Sequence, residues 1–111
     1  MSEPKKTSLY NVHEKCGGRI IDFAGWALPV QYEGITAEHE AVRNYAGMFD
    51  VSHMGEVEVK GPQATDFVQN LVTNDVSVMN ENQVIYAMMC YPNGGIVDDL
   101  LVYKHTNDFY L

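Results

Sequence analysis

Val84-Ile85-Tyr86-Ala87-Met88-Met89-Cys90-Tyr91-Pro92-Asn93-Gly94-Gly95-Ile96-Val97-Asp98-Asp99-Leu100-Leu101-Val102-Tyr103 reads as two apolar strands joined by a proline- and glycine-rich turn. Such a hairpin needs further layers to bury its apolar face, so the segments on either side decide the fold class. Before it, Gly61-Pro62 opens a helix, because proline is tolerated at a first helical position. Ala64, Phe67, Val68, Leu71 and Val72 then recur at helical spacing, which predicts one core-facing stripe. Thr73-Asn74-Asp75 ends that helix, and Gly55-Glu56-Val57-Glu58-Val59-Lys60 alternates as a half-buried strand with an acidic outer face. After the hairpin, Thr106-Asn107-Asp108 is a turn, and Phe109-Tyr110-Leu111 begins a further apolar strand.

Further towards the start, residues from Leu9 to Glu14 form a short helix closed by Gly17-Gly18, and Ile20-Ile21-Asp22-Phe23 is a strand. Gly25 to Tyr32 is a turn followed by a short edge strand limited by Pro29. A second helix follows, capped by Thr36, with Ala41, Val42, Tyr45 and Ala46 as its apolar stripe and Gly47 as its stop. The order of elements predicts an α+β fold, with helices packed on a largely antiparallel sheet. The length of 111 residues suits a single domain, 1–111.

Composition narrows the function. The chain is 46% hydrophobic and 20% charged, as in ordinary globular proteins. Its formal net charge of -8 repels a phosphate backbone, so neither nucleic acid nor an anionic membrane is expected as a partner. Met1-Ser2-Glu3-Pro4-Lys5-Lys6 leads into no apolar signal core, and no apolar run reaches the length needed to span a bilayer. Cys16 and Cys90 form no paired motif, which favours free thiols in a reducing cytoplasm.

Chemistry is expected first at Asp98 and Asp99. Aspartate is depleted in strands, and neighbours on a strand point to opposite faces. Each carboxylate has aliphatic neighbours on its own face, so one of them is expected against apolar surface, held by a cationic or hydrogen-bonding partner. A structural role in a bulge or a backbone turn is the alternative, and periodicity leaves open which aspartate faces a pocket. Asp50-Val51-Ser52-His53 contains the residue types of a hydrolase triad, but triad members rarely come from one short segment. A polar turn in which Asp50 or Ser52 caps a backbone group is the expected reading there. His13 and Cys16 make only half of a zinc-ligand spacing, and no metal site is expected. Met54 is either core filler or the lining of an apolar pocket.

Several stretches together resemble the aminomethyltransferase of the glycine cleavage system, the T-protein family. They are Leu9-Tyr10 with Gly17-Gly18, Asp22 to Tyr32, Glu38-His39 with Ala41-Val42-Arg43, Ala46 to Gly55, Thr73-Asn74-Asp75-Val76, and Gly94 to Tyr103. The resemblance runs from about Leu9 to Leu111 and implies the N-terminal part of the T-protein folate-binding fold, with the chain truncated at its C-terminal end. It implies an enzyme that takes the aminomethyl group from the lipoylated H-protein and transfers its methylene to tetrahydrofolate, releasing ammonia. Tetrahydrofolate is then the methylene acceptor, and no metal is implied. Carried over residue by residue, Asp99 is the catalytic acid and a folate contact, Met54 lines the folate pocket, and Tyr86 is a pocket candidate by its position before the hairpin turn. The segment alone is expected to be inactive. It is also expected to self-associate through an unpaired edge at Phe109-Tyr110-Leu111. The other readings are a folate-binding accessory protein of iron–sulfur assembly, the folate-dependent part of a flavin-linked oxidase, and a non-catalytic docking or dimerisation module.

Overall fold

A computed structural model describes residues 3–111, which divide into two compact units, residues 3–55 and 56–111. The architecture is α+β, as the order of elements predicts. Every strand pair is antiparallel except one.

The first unit contains β1 (Lys5–Lys6), α1 (Tyr10–Lys15), β2 (Ile20–Phe23), β3 (Trp26–Pro29) and α2 (Ile35–Asn44). Its three strands lie in the order β1-β3-β2, so β3 is central and not the edge strand that Pro29 suggests. The physical reason is local. β1 pairs in parallel with Trp26 and Ala27 only, so the missing N–H of Pro29 faces no ladder on that side. Helix α1 closes at Gly17, whose φ of +78° needs no Cβ penalty, and Gly18 N–H donates to the His13 carbonyl. α2 is not capped by Thr36. Glu38 reaches back instead, and one of its oxygens accepts the N–H groups of Tyr32, Glu33 and Gly34 at 2.7, 2.8 and 2.9 Å. Those backbone donors hold the Glu38 carboxyl below its ordinary value. The Ala41–Val42–Tyr45–Ala46 stripe is not buried: α2 has no buried residue, and Tyr45 is 90% exposed.

The second unit contains β4 (Val59–Lys60), α3 (Ala64–Leu71), β5 (Gln83–Cys90), β6 (Ile96–Thr106) and β7 (Phe109–Tyr110). Its sheet order is β4-β7-β6-β5. The strand expected over Gly55–Lys60 contracts to two residues because its partner β7 offers only two to pair with. Phe109-Tyr110 is not an open edge either. It lies between β4 and β6, and Tyr110 is the most buried large side chain, 1% exposed. Ala64 and Val68 of α3 join Val76, Met79, Ala87, Val102 and Tyr110 in the core. Phe67 and Leu71, from the same expected stripe, stay exposed. Two polar groups are satisfied inside: Tyr110 Oη pairs with Thr65 Oγ1 at 2.9 Å, and Lys104 Nζ donates to the Met79 carbonyl at 2.8 Å.

Candidate functional site

The hairpin β5–β6 presents two faces, and their difference follows from the period-two alternation of strands. Ile85, Ala87, Leu100 and Val102 turn towards the core. Val84, Tyr86, Asp99, Leu101 and Tyr103 stand on the other face, and all are exposed. Here the apolar side chains are partly open to solvent, and one carboxylate stands among them.

The pairing register is interrupted at Met89/Cys90, where Cys90 opposes Ile96 and Met89 opposes Asp98, leaving Val97 as the extra residue. The irregularity therefore precedes the aspartate pair and does not separate it. Asp98 and Asp99 remain on opposite faces. Neither is buried against apolar surface, which corrects the expectation of a desolvated acid: both lie near the turn end of the hairpin, where the sheet has no covering layer. Asp98 Oδ1 accepts the Asp99 N–H at 3.0 Å, a backbone-turn contact. Asp99 Oδ2 accepts the Tyr86 hydroxyl at 2.9 Å. That hydrogen bond, reinforced by partial burial and by the charge of Asp99, raises the Tyr86 phenol above its ordinary value, so the hydroxyl keeps its proton. The pair gives a phenol that donates and a carboxylate with free acceptor sites, both set in an apolar surface.

Met54 belongs to the first unit, on a turn in which its N–H donates to the Val51 carbonyl at 2.9 Å. It is partly exposed. The same turn begins at Asp50, whose Oδ1 accepts both the N–H and the hydroxyl of Ser52. Asp50 and Ser52 thus form the polar turn expected of them, and no triad is built within the segment. His53 turns away from both, with its ring edge-on to Phe23 and Trp26 at centroid distances of 6.1 and 6.4 Å.

The residue that sequence reasoning missed is the partner of Asp50. His13 Nε2 lies 2.7 Å from Asp50 Oδ2, and His13 Nδ1 lies 2.6 Å from the Tyr32 hydroxyl. Thr7 Oγ1 donates to the same Asp50 oxygen at 3.0 Å. The side chains of His13 and Asp50 are only 8% and 5% exposed. With the Ser52 hydroxyl first and His13 next, these donors hold the Asp50 carboxyl far below the usual carboxylate range. Burial, followed by the nearby Cys16, Asp50 and Glu38, raises the Tyr32 phenol. No local sequence signal marks it: His13 lies on a short helix, and only the structure shows that the apolar Leu9 and Val12 beside it face water while His13 is buried. Periodicity carries no information on a contact between residues 37 positions apart.

Among the described residues no group of three His, Cys, Asp or Glu side chains is placed to hold a metal ion. No helix of the described residues is long and apolar enough to cross a membrane. Cys16 and Cys90 are both free and exposed.

Residues 9–111 match the family described as the GCVT N-terminal domain. A protein named aminomethyltransferase from Alkaliphilus oremlandii is 62% identical over 110 residues, covering 99% of this chain and 30% of that relative. One of the same name from Caldanaerobacter subterraneus is 64% identical over 107 residues, covering 96% of this chain and 29% of the relative. The crystal structure of glycine cleavage system aminomethyltransferase T from Bartonella henselae superposes with a TM-score of 0.76 at 34% identity, over 96% of this chain and 30% of that one. The chain thus spans about 30% of the length of the curated relatives it matches.

Proposed function

The chain belongs to the GCVT N-terminal domain family of aminomethyltransferases, and from that premise we propose that it contributes the folate-facing hairpin of a glycine cleavage aminomethyltransferase. In this reading the aminomethyl group arrives on the dihydrolipoyl arm of the H-protein. Its methylene passes to tetrahydrofolate, and its nitrogen leaves as ammonia. The reading places the reaction in the cytoplasm and needs no metal.

The single observation that carries it is the Tyr86–Asp99 pair on the solvent-facing apolar side of β5–β6. A pterin is a flat, largely apolar ring edged with nitrogens. It needs apolar and aromatic surface for its faces and a few fixed polar groups for its edge, which is the usual make-up of a small-molecule site. Val84, Leu101 and Tyr103 offer the surface, and Asp99 offers the acceptor. The Tyr86 hydroxyl occupies one carboxylate oxygen, which fixes the other for a ligand N–H. Loss of ammonia and attack by a folate nitrogen both require protons to move, and an exposed carboxylate within reach of that nitrogen takes or returns one. Met54, in the first unit, is proposed as an apolar folate contact on the family resemblance alone.

Calorimetric titration of tetrahydrofolate, with Tyr86 and Asp99 followed by NMR, tests the reading. Saturable binding that shifts both residues is expected. Saturable binding that leaves both unshifted, or none at millimolar ligand, would refute it. A docking module without folate chemistry corresponds to the second result.

A further inference from the structure

The methylene transfer proposed above makes no use of His13, Thr7 or Asp50, yet these three are the most enclosed polar side chains of the first unit. We propose that His13 is a positioning residue that latches the Asp50–Met54 turn through its Nε2 and so presents Met54 in one orientation. The functional meaning of that orientation rests on the proposed contact between Met54 and folate. The latch itself does not depend on any ligand.

Asp50 divides its two oxygens between two tasks. Oδ1 accepts from the Ser52 N–H and hydroxyl and so shapes the turn. Oδ2 accepts from His13 and Thr7 and so ties the turn to α1 and to the segment before it. A turn built by Oδ1 alone would have its shape but no fixed place. Residues 45–58 form neither helix nor strand, so backbone ladders do not fix it. His53 does not supply the missing direction. Its Nδ1 is buried with no hydrogen-bond partner among the described residues, and it is held by ring packing against Phe23 and Trp26.

His13 is itself arranged for the task. It is the one buried residue of α1, and burying an imidazole costs free energy unless its nitrogens are paired. Both are. An ionised Asp50 only accepts, which places a proton on Nε2; a neutral ring then accepts the Tyr32 hydroxyl at Nδ1. Gly18 makes room for this arrangement: a Cβ there would stand 2.9 Å from the His13 carbonyl and 3.0 Å from the Tyr32 ring.

The test is amide hydrogen exchange on the full chain without ligand, comparing His13→Leu, His13→Gln and Thr7→Val with the unaltered protein. Loss of a charge-assisted hydrogen bond in His13→Leu should speed exchange at the Ser52 and Met54 amides about tenfold, although His13 touches neither. The amides of β2 and β3 should keep their rates. His13→Gln, whose side-chain amide can donate to Asp50, should recover most of the protection. Thr7→Val keeps the fold's shape while removing one donor to Oδ2, and should give a smaller loss at the same two amides, even where His13→Leu does not fold. The ring-nitrogen shifts of His13 should report a proton on Nε2. Unchanged exchange at Ser52 and Met54, uniform acceleration through β2 and β3, or no recovery in His13→Gln would each overturn the latch. Tetrahydrofolate affinity should fall as the exchange rates rise. Absence of folate binding by the unaltered chain would instead overturn the proposed function, leaving the exchange data to decide the latch.

Discussion

Replacing Asp99 with asparagine keeps the shape of the side chain and removes its charge, and the structure fixes what should follow. Asp99 is exposed, and among the described residues its side chain accepts one hydrogen bond, from the Tyr86 hydroxyl at 2.9 Å. The asparagine oxygen can accept that same hydroxyl, so folding stability should change by no more than about 0.5 kcal/mol. Two other quantities should change. The Tyr86 phenol, raised chiefly by its hydrogen bond to the carboxylate, should fall back towards the ordinary tyrosine value. In a protein extended to the full length of the relatives, the rate of methylene transfer should fall about 10²–10⁴-fold, the usual contribution of a positioned acid–base group. Asp98→Asn is the internal control. Its Oδ1 accepts the Asp99 N–H at 3.0 Å, it faces the opposite side of β6, and it too is exposed. It should alter stability as little and transfer hardly at all. The assays are NMR titration of ring-labelled Tyr86, thermal unfolding, and turnover of aminomethylated H-protein with tetrahydrofolate by the full-length protein carrying each substitution. Equal rate losses in the two variants, after correction for folded fraction, would refute the assignment of the folate-facing acid to Asp99. A Tyr86 titration that does not move in Asp99→Asn would refute the electrostatic account of the pair.

Tyr110→Phe, which removes the hydroxyl that donates to Thr65 Oγ1 at 2.9 Å while Thr65 keeps its bond to the Asn107 carbonyl, should cost about 1 kcal/mol in a denaturant unfolding curve. Val76→Ala, at a position 0% exposed, should cost about 2 kcal/mol by the same measurement, through lost burial and the cavity left behind. Glu38 and Asp50 both have folded-state values below their ordinary ones, so the stability they contribute is complete above pH of about 4 and is lost as pH falls through the lower folded values. An acid titration by circular dichroism and NMR should therefore show the start of α2 and the Asp50 turn loosening below that pH, and not above it. Gly18→Ala should unfold more readily than the unaltered chain and should loosen the Tyr32–His13 contact, because the added methyl would stand 2.9 Å from the His13 carbonyl oxygen and 3.0 Å from the Tyr32 ring, well inside van der Waals contact.

The hairpin and the three helices were legible because their signals are local. Pro92-Asn93-Gly94-Gly95 between two apolar runs needs no knowledge of the rest of the chain, and Gly17-Gly18 ends α1 by its own conformational freedom. What was not legible depends on distant partners. Lys5–Lys6 carries no apolar pattern and becomes a strand only because Trp26 and Ala27 offer it a ladder. The alternation of Gly55–Lys60 is a real strand pattern, yet a strand extends only as far as its partner does. Phe109-Tyr110 reads as an edge until β4 is found on its far side. Thr36 is a good capping residue by type, but Glu38 reaches three amides at once and takes the place. At the site, the opposite faces of Asp98 and Asp99 follow from strand geometry alone, whereas their exposure depends on which layers cover the sheet. Asp50 was assigned to a turn correctly, and its hold on His13 lay outside any window of sequence.

The central place of β7 has a consequence for the birth of the protein. A growing chain emerging from the ribosome can close β5 onto β6 at once, since the two are neighbours in sequence. The pairing of Val59 with Tyr110 is different: it joins the first strand of the second unit to its last across about fifty residues. Until Tyr110 has left the exit tunnel, β4 has no partner, and the ring that fills the middle of the core is missing. The β4–β7 pairing therefore forms later than the hairpin, whose core-facing side can already meet Ala64, Val68, Val76 and Met79 but lacks the Tyr110 ring until then.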